Sequence, residues 1–249
     1  MRGEHVLITG AASGIGAAVA HLLAACGEVS LTLIDQSDEG LGRLSETLGK
    51  ADWRAVTMDV SDPDAWDQLD LGEAGFTGAV ICAGVSETAM IADMSFESWR
   101  RVMSVNLDGA FLSLQAALRH SADGASIVAI GSATGHKAAP MTAAYGTSKA
   151  GLTQLVKIAA LEAAARGIRV NAVAPGGVKT PMFSQQAFFE DFKKAHGSEA
   201  AAWAALAEAT PLKRFAEAEE IAKLIAILLG PESGMMTGSV LNCDGGYGI

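Results

Sequence analysis

Hydrophobic and polar positions along this chain alternate between two periods. Short aliphatic and β-branched runs predict strands at His5–Thr9, Ser30–Asp35, Arg54–Asp59, Gly78–Ala83, Ser126–Gly131, Arg169–Ala174 and Ser239–Asp244. Several of these runs are apolar at consecutive positions, as strands covered by helices on both faces must be. Between them, helical spacing predicts helices at about Gly14–Ala25, Leu41–Leu48, Phe96–His120, Ala143–Arg166 and Glu217–Leu229, with an irregular insertion from Pro175 to Pro211. The βαβα alternation implies one α/β domain over residues 1–249, a doubly wound parallel sheet of about seven strands with helices on both faces. Such sheets bind ligands at the carboxyl ends of their strands, so the chemistry is sought just after each strand.

Composition narrows the class. The chain has 249 residues, 50% hydrophobic and 18% charged, which suits a compact domain and excludes a mostly disordered one. No apolar run reaches the roughly 18 residues of a membrane span, and the apolar run in "MRGEHVLITG" is too short for a signal sequence. A soluble, cytoplasmic protein is expected. Cys26, Cys82 and Cys243 are odd in number and widely spaced, with no CxxC or His-rich company, so neither a disulfide framework nor a metal site is indicated. The formal charge of −10, without a Lys/Arg cluster, excludes nucleic acid as an expected partner.

The first strand runs into "TGAASGIG". Gly10, Gly14 and Gly16, with Ser13 and Ile15 between them, open a helix whose N-terminal amides can cradle a pyrophosphate. The spacing is GxxxGxG rather than GxGxxG, and by itself it describes a plain strand-to-helix turn equally well. Asp35 closes the second strand, where a carboxylate accepts from both ribose hydroxyls and repels a 2′-phosphate. No Arg or Lys stands at Ala11–Ser13 or Gln36–Asp38, so the expected cofactor is NAD rather than NADP. Asp59, followed by Val60, is placed to accept from the adenine amino group or to cap the helix beginning near Pro63. Cys82, Ala83 and Gly84 close the fourth strand with small residues that let a cofactor lie against the backbone.

"TAAYGTSKAG" carries the reacting pair. Tyr145 and Lys149 stand at i and i+4, one above the other on a helix face, among the small residues Ala143, Ala144, Gly146 and Ser148. An ammonium about 6 Å from a phenol, at an effective dielectric near 20, favours the phenolate by roughly 3 kcal/mol, about two pKa units. The pairing predicts a tunable proton donor and acceptor. Ser132, thirteen residues before Tyr145, follows the fifth strand and can hold a substrate oxygen beside the phenol.

Taken together, "TGAASGIG", Asp35, "DV" at Asp59–Val60, "VNLDGAF" around Asn106, "GSATG" around Ser132, "YGTSK", "NAVAPGGVKTPM" and the late "DGG" resemble the short-chain dehydrogenase/reductase family. The resemblance runs from the first strand to the last few residues and implies a Rossmann-type fold. It implies a catalytic tetrad of Asn106, Ser132, Tyr145 and Lys149, with Tyr145 passing the proton while hydride moves to or from a nicotinamide. By the same resemblance, Lys149 binds the nicotinamide ribose and Asn106 holds a water leading to solvent. Pro175, Gly176, Val178 and Thr180 line the nicotinamide side. Family members are commonly tetramers, and the Ala-rich faces around Phe111–Ala117 and Leu152–Ala165 would permit that packing. One departure is Cys82, where the family usually has Asn; the lost amide implies weaker local order.

The segment at about 178–211 is where the family carries a substrate lid. Ser132, Thr134, Tyr145, Gly177, Met182 and Phe183 are the candidate substrate residues. Phe188 and Phe192 share a helix face that either covers an apolar substrate or packs on the sheet or another subunit. Glu87, His136 and Lys137 follow strands and either reach the substrate or are solvated. The expected reaction is NAD-dependent interconversion of a secondary alcohol and a ketone on a hydrophobic cyclic or aromatic substrate. A polyol dehydrogenase, a 3-oxoacyl-thioester reductase (whose usual NADP preference conflicts with Asp35) and an NAD-binding regulatory scaffold are the alternatives.

Overall fold

A computed structural model describes residues 4–27, 29–72 and 75–249. Met1–Gly3, the start of the stretch read for a signal sequence, lie outside the described residues. Seven strands form one parallel sheet: β1 (Glu4–Thr9), β2 (Val29–Asp35), β3 (Asp52–Thr57), β4 (Phe76–Ile81), β5 (Ser121–Ile130), β6 (Arg169–Pro175) and β9 (Val240–Cys243). Their order, β3-β2-β1-β4-β5-β6-β9, reverses between β1 and β4, the switch point at which a doubly wound sheet opens a cleft. A two-residue ribbon, β7 (Val178–Lys179) with β8 (Ala216–Glu217), stands apart and ties together the two ends of the lid.

The helices are α1 (Gly14–Cys26), α2 (Asp38–Thr47), α3 (Pro63–Gln68), α4 (Phe96–Met103), α5 (Gly109–His120), α6 (Ala143–Ala163), α7 (Pro181–Ser184), α8 (Ala187–His196), α9 (Glu199–Leu206) and α10 (Ala218–Leu229). Alternate strand residues feed two separate cores. Val6, Ile8, Leu31 and Leu33 pack with Val19 and Ile225 on the face covered by α1 and α10. Leu7, Ile34, Ala79 and Ile81 pack with Leu114, Leu152 and Val156 on the face covered by α5 and α6. Both-faced burial is what the continuous apolar runs predict.

Three expectations need correction. The single helix expected over Phe96–His120 is broken by a π-helical turn at Ser104–Asp108, a feature that apolar spacing does not encode. The helix after β3 is capped by Asp62, whose carboxylate accepts from Asp64 N at 3.0 Å; Asp59 instead makes a local turn with Ser61. The segment read as irregular is largely helical. Gly197, at φ 80°, ends α8, and Ser198 caps α9 by accepting from Ala201 N at 3.1 Å.

Candidate active site

The glycine turn is required by close approaches. Gly10 and Gly14 sit at φ 67° and 53°, backbone that side chains rarely adopt. A Cβ on Gly10 would lie 2.8 Å from Ala83 Cα, and one on Gly16 would lie 2.1 Å from Gly10 O. The turn therefore presses β1 and α1 onto the end of β4. A Cβ on Gly14 would come within 3.2 Å of Thr180 Cγ2, so the cradle and the lid's first residues face one another. Ser13 is the N-cap of α1, yet its exposed side chain makes no capping hydrogen bond. Ile15 packs against the core under α1.

Asp35 links β2 to this turn: Oδ2 accepts from Ala12 N and Oδ1 from Ser37 N, both at 3.0 Å. Each oxygen keeps a further lone pair for a ligand hydroxyl. Asp59 is exposed beyond β3, while the Val60 side chain is buried and leaves only its backbone to meet a ligand.

Thr9 is a functional position that the sequence reading missed. Fully buried, it accepts from Cys82 N at 3.1 Å and Ala83 N at 3.3 Å, fixing the end of β4. Its signal was available: a hydroxyl terminates an otherwise apolar strand. The weaker order expected from Cys82 is thus countered by Thr9, and the Cys82 thiol lies near the Gly16 backbone. Burial pushes that thiol up to about 11, opposed by the nearby Lys149 charge, so it is neutral at physiological pH.

The π turn aims Asn106 at α6 and the loop after β4. Its Oδ1 accepts from Val85 N at 2.8 Å; its Nδ2 donates to Val85 O at 2.9 Å and to Ser148 Oγ at 3.2 Å. Ser148 Oγ donates onward to Tyr145 O at 2.7 Å. The Asn106 carboxamide thus joins these elements, and its Oδ1 keeps a second lone pair.

Tyr145 and Lys149 do share one face of α6. Lys149 Nζ lies 5.7 Å from the phenol ring centroid and donates to Ile130 O at 2.7 Å; the residue is 3% exposed. A Cβ on Gly84 would sit 3.3 Å from Asn106 Oδ1, 3.6 Å from Lys149 Nζ and 3.8 Å from Met182 Cε, so four expected residues converge on one point. Ser132 Oγ hydrogen-bonds Thr134 Oγ1 at 2.9 Å and lies close enough to the phenol to lower its pKa.

The electrostatics differ from the expectation drawn from spacing. Burial raises the Tyr145 hydroxyl above its ordinary value, with the Ser132 hydrogen bond pulling it back and the nearby Cys82 sulfur adding to the rise. Burial also drives Lys149 down, from 10.5 to about 8. For Tyr145 burial is the largest influence, and the ammonium itself donates to Ile130 O. The Tyr145 hydroxyl is therefore protonated at neutral pH.

On the lid, Met182 approaches the site but Phe183 does not line it freely. Its ring packs 5.4 Å from Phe215, 5.5 Å from Trp203 and 5.6 Å from Phe188. Phe189 and Trp203 are buried in the same cluster, and Phe192 stacks on His196 at 4.1 Å. Most of the lid's aromatic surface therefore forms its own small core. Gly177 serves it too: a Cβ there would fall 2.4 Å from the Phe215 ring. Pro175 ends β6 opposite Cys243, and Gly176 packs against Asp244. Val178 is buried in β7. Glu87 pairs with Arg101, and Lys137 donates to Tyr247 O.

A family model described as Enoyl-(Acyl carrier protein) reductase matches residues 10–248. Among curated proteins, a cis-4-hydroxycyclohexanecarboxylate dehydrogenase of Sinomonas cyclohexanicum is 37% identical over 97% of this chain and 95% of its own length. Two solved structures superpose closely. One is a short-chain dehydrogenase/reductase, glucose/ribitol dehydrogenase from Brucella melitensis, with TM-score 0.88, 31% identity and coverage of 99% and 97% of the two chains. The other is levodione reductase, with TM-score 0.87, 30% identity and coverage of 100% and 98%. The chain belongs to the short-chain dehydrogenase/reductase family of oxidoreductases. Among the described residues, no helix is long and apolar enough to cross a membrane.

Proposed function

We propose that this protein is an NAD(H)-dependent oxidoreductase that interconverts a secondary alcohol and a ketone on a hydrophobic cyclic substrate. The observation that carries the reading is the placing of Lys149 Nζ beside Gly84, Asn106 and Met182 and 5.7 Å from the Tyr145 ring, with Ser132 next to the phenol. The residues fit a dinucleotide. Gly10, Ser13, Gly14, Ile15 and Gly16 would hold the pyrophosphate, and Asp35 the adenosine ribose. Asp59 and the Val60 backbone would meet the adenine. Cys82, Ala83 and Gly84 with Pro175, Gly176, Val178 and Thr180 would flank the nicotinamide, and Lys149 would bind its ribose. The Asp35 carboxylate, whose protein partners are two backbone amides rather than a cation, favours NAD over NADP.

A nicotinamide bound there supplies the hydride acceptor or donor. This chain's residues handle the proton. Ser132 orients the substrate oxygen, and Tyr145 Oη gives it a proton on reduction or takes one on oxidation. Lys149 carries the positive charge beside the phenol, and Asn106 holds the Val85 loop and α6 in register through Ser148. Thr134, Gly177, Met182 and Phe183 surround the substrate end, with Met182 contributing an apolar surface and Phe183 the packing beneath it. The curated relative's alicyclic alcohol substrate supports the cyclic reading. A homotetramer fits the exposed Phe111, Ile158 and Leu161 on α5 and α6, of which Leu161 is 81% exposed.

The test is a panel of cyclic, aryl, steroidal and polyol alcohols and their ketones, each with NAD(H) and with NADP(H). Turnover with NAD(H) on cyclic alcohols is expected. Preference for NADP(H) would overturn the reading of Asp35, and tight NADH binding without turnover on any member would favour a scaffold.

A further inference from the structure

Near the loop after Ser132, Lys137 is a cation with no carboxylate partner among the described residues. Around the catalytic edge, Arg101 pairs with Glu87, Lys179 with Glu217, Lys213 with Glu208 and Arg214 with Glu220. Lys149 is the reacting-site ammonium. Lys137 is half-buried, and its partners are the Tyr247 carbonyl, to which Nζ donates, and the Tyr247 ring, whose centroid lies 4.5 Å from Nζ. Among the described residues no carboxylate pairs with it. An ammonium carries three donors, so two remain for another group.

Its position is fixed from both sides. A short 3-10 turn, Ala133–Gly135, follows Ser132, and Lys137 N closes onto Ala133 O at 2.9 Å. Tyr247 belongs to the segment after β9, which Asp244 folds by accepting from Gly246 N and Gly248 N, both at 2.9 Å. Leu212 N, just past the lid, donates to Gly245 O at 3.1 Å. The ammonium is therefore held between the loop that carries Ser132 and the far end of the lid.

We propose that Lys137, steadied by Tyr247, receives a carboxylate carried by the substrate and so selects anionic cyclic alcohols over neutral ones. This rests on the reading of Ser132 and Tyr145 as the reacting end. A cation partly removed from water attracts an anion more strongly than an exposed one, and the chain's overall charge of −10 leaves such substrates dependent on a local positive group.

Two measurements test it. In turnover, a hydroxycyclohexane bearing a carboxylate is compared with the same ring bearing a carboxamide. Wild type is expected to favour the carboxylate at least tenfold in kcat/KM, through KM. Lys137→Met is expected to abolish that preference and Lys137→Arg to retain most of it. In binding, calorimetry with cyclohexanecarboxylate and cyclohexanecarboxamide needs no turnover, so it separates failure of the anion site from failure of the reaction assignment. Tighter carboxylate binding by wild type, weakened about tenfold in Lys137→Met, supports the site. Equal binding of the two rings, or equal losses for both in the variant, overturns it.

Discussion

Lys149 is an ammonium buried to 3% exposure with a carbonyl, and no carboxylate, as its hydrogen-bond partner, so the fold should carry it at a cost that depends on pH. Its pKa falls from 10.5 to about 8 on burial. A depressed lysine means that between these two values the unfolded chain binds more protons than the folded one, so stability rises with pH across that window. At pH 7, below both values, the cost is close to its full size, roughly 3 kcal/mol; by pH 10 linkage leaves under about 1 kcal/mol. Lys149→Met removes the titrating group. It also removes a donor to Ile130 O, but that loss is nearly the same at both pH values and cancels in the difference. Urea unfolding of both proteins at pH 7 and pH 10 should show wild type gaining about 2–3 kcal/mol on the variant as pH rises. In thermal melts this amounts to roughly 5–10 °C for a chain of this size. A difference that stays constant with pH would refute the reasoning, because it would mean the ammonium is hydrated in the folded protein.

Thr9→Val keeps the shape of the residue but leaves the Cys82 and Ala83 amides without their acceptor. Urea unfolding should record a loss of about 1–3 kcal/mol, and an unchanged midpoint would show that Thr9 is not what fixes the end of β4. Gly16→Ala puts a methyl 2.1 Å from Gly10 O, which must push α1 off β1. Overpacking of this kind costs roughly 1–3 kcal/mol, and fluorescence titration should show NADH affinity falling by at least about tenfold. Retained affinity would mean that the glycine turn does not hold the cofactor.

The sheet and its helices were legible because burial on both strand faces leaves continuous apolar runs, and the end of the first strand marked the glycine turn. Other features were hidden for identifiable reasons. The π turn that aims Asn106 is an insertion into a ladder of backbone hydrogen bonds, which side-chain periodicity does not register. The direction of the Tyr145 shift depends on how deeply the pair is buried and where the ammonium points, and spacing on a helix gives only their proximity. The lid's aromatic residues suited either a substrate or one another. The three-dimensional arrangement of Phe183, Phe189, Trp203 and Phe215 directs most of them inward. The segment after β9 carries too few apolar residues to predict packing, yet Asp244 folds it and Lys137 ties it to the loop after Ser132.

The central claim is that the Tyr145 hydroxyl passes the proton in an alcohol–ketone interconversion. Tyr145→Phe removes that one oxygen while leaving the ring's packing and the Lys149 bond to Ile130 O in place. Turnover of the best alcohol in the panel should fall by at least about a thousandfold, of the order expected for losing a positioned proton donor, while the NADH dissociation constant stays within about threefold. A variant that binds NADH as before and turns over at the wild-type rate would contradict the account.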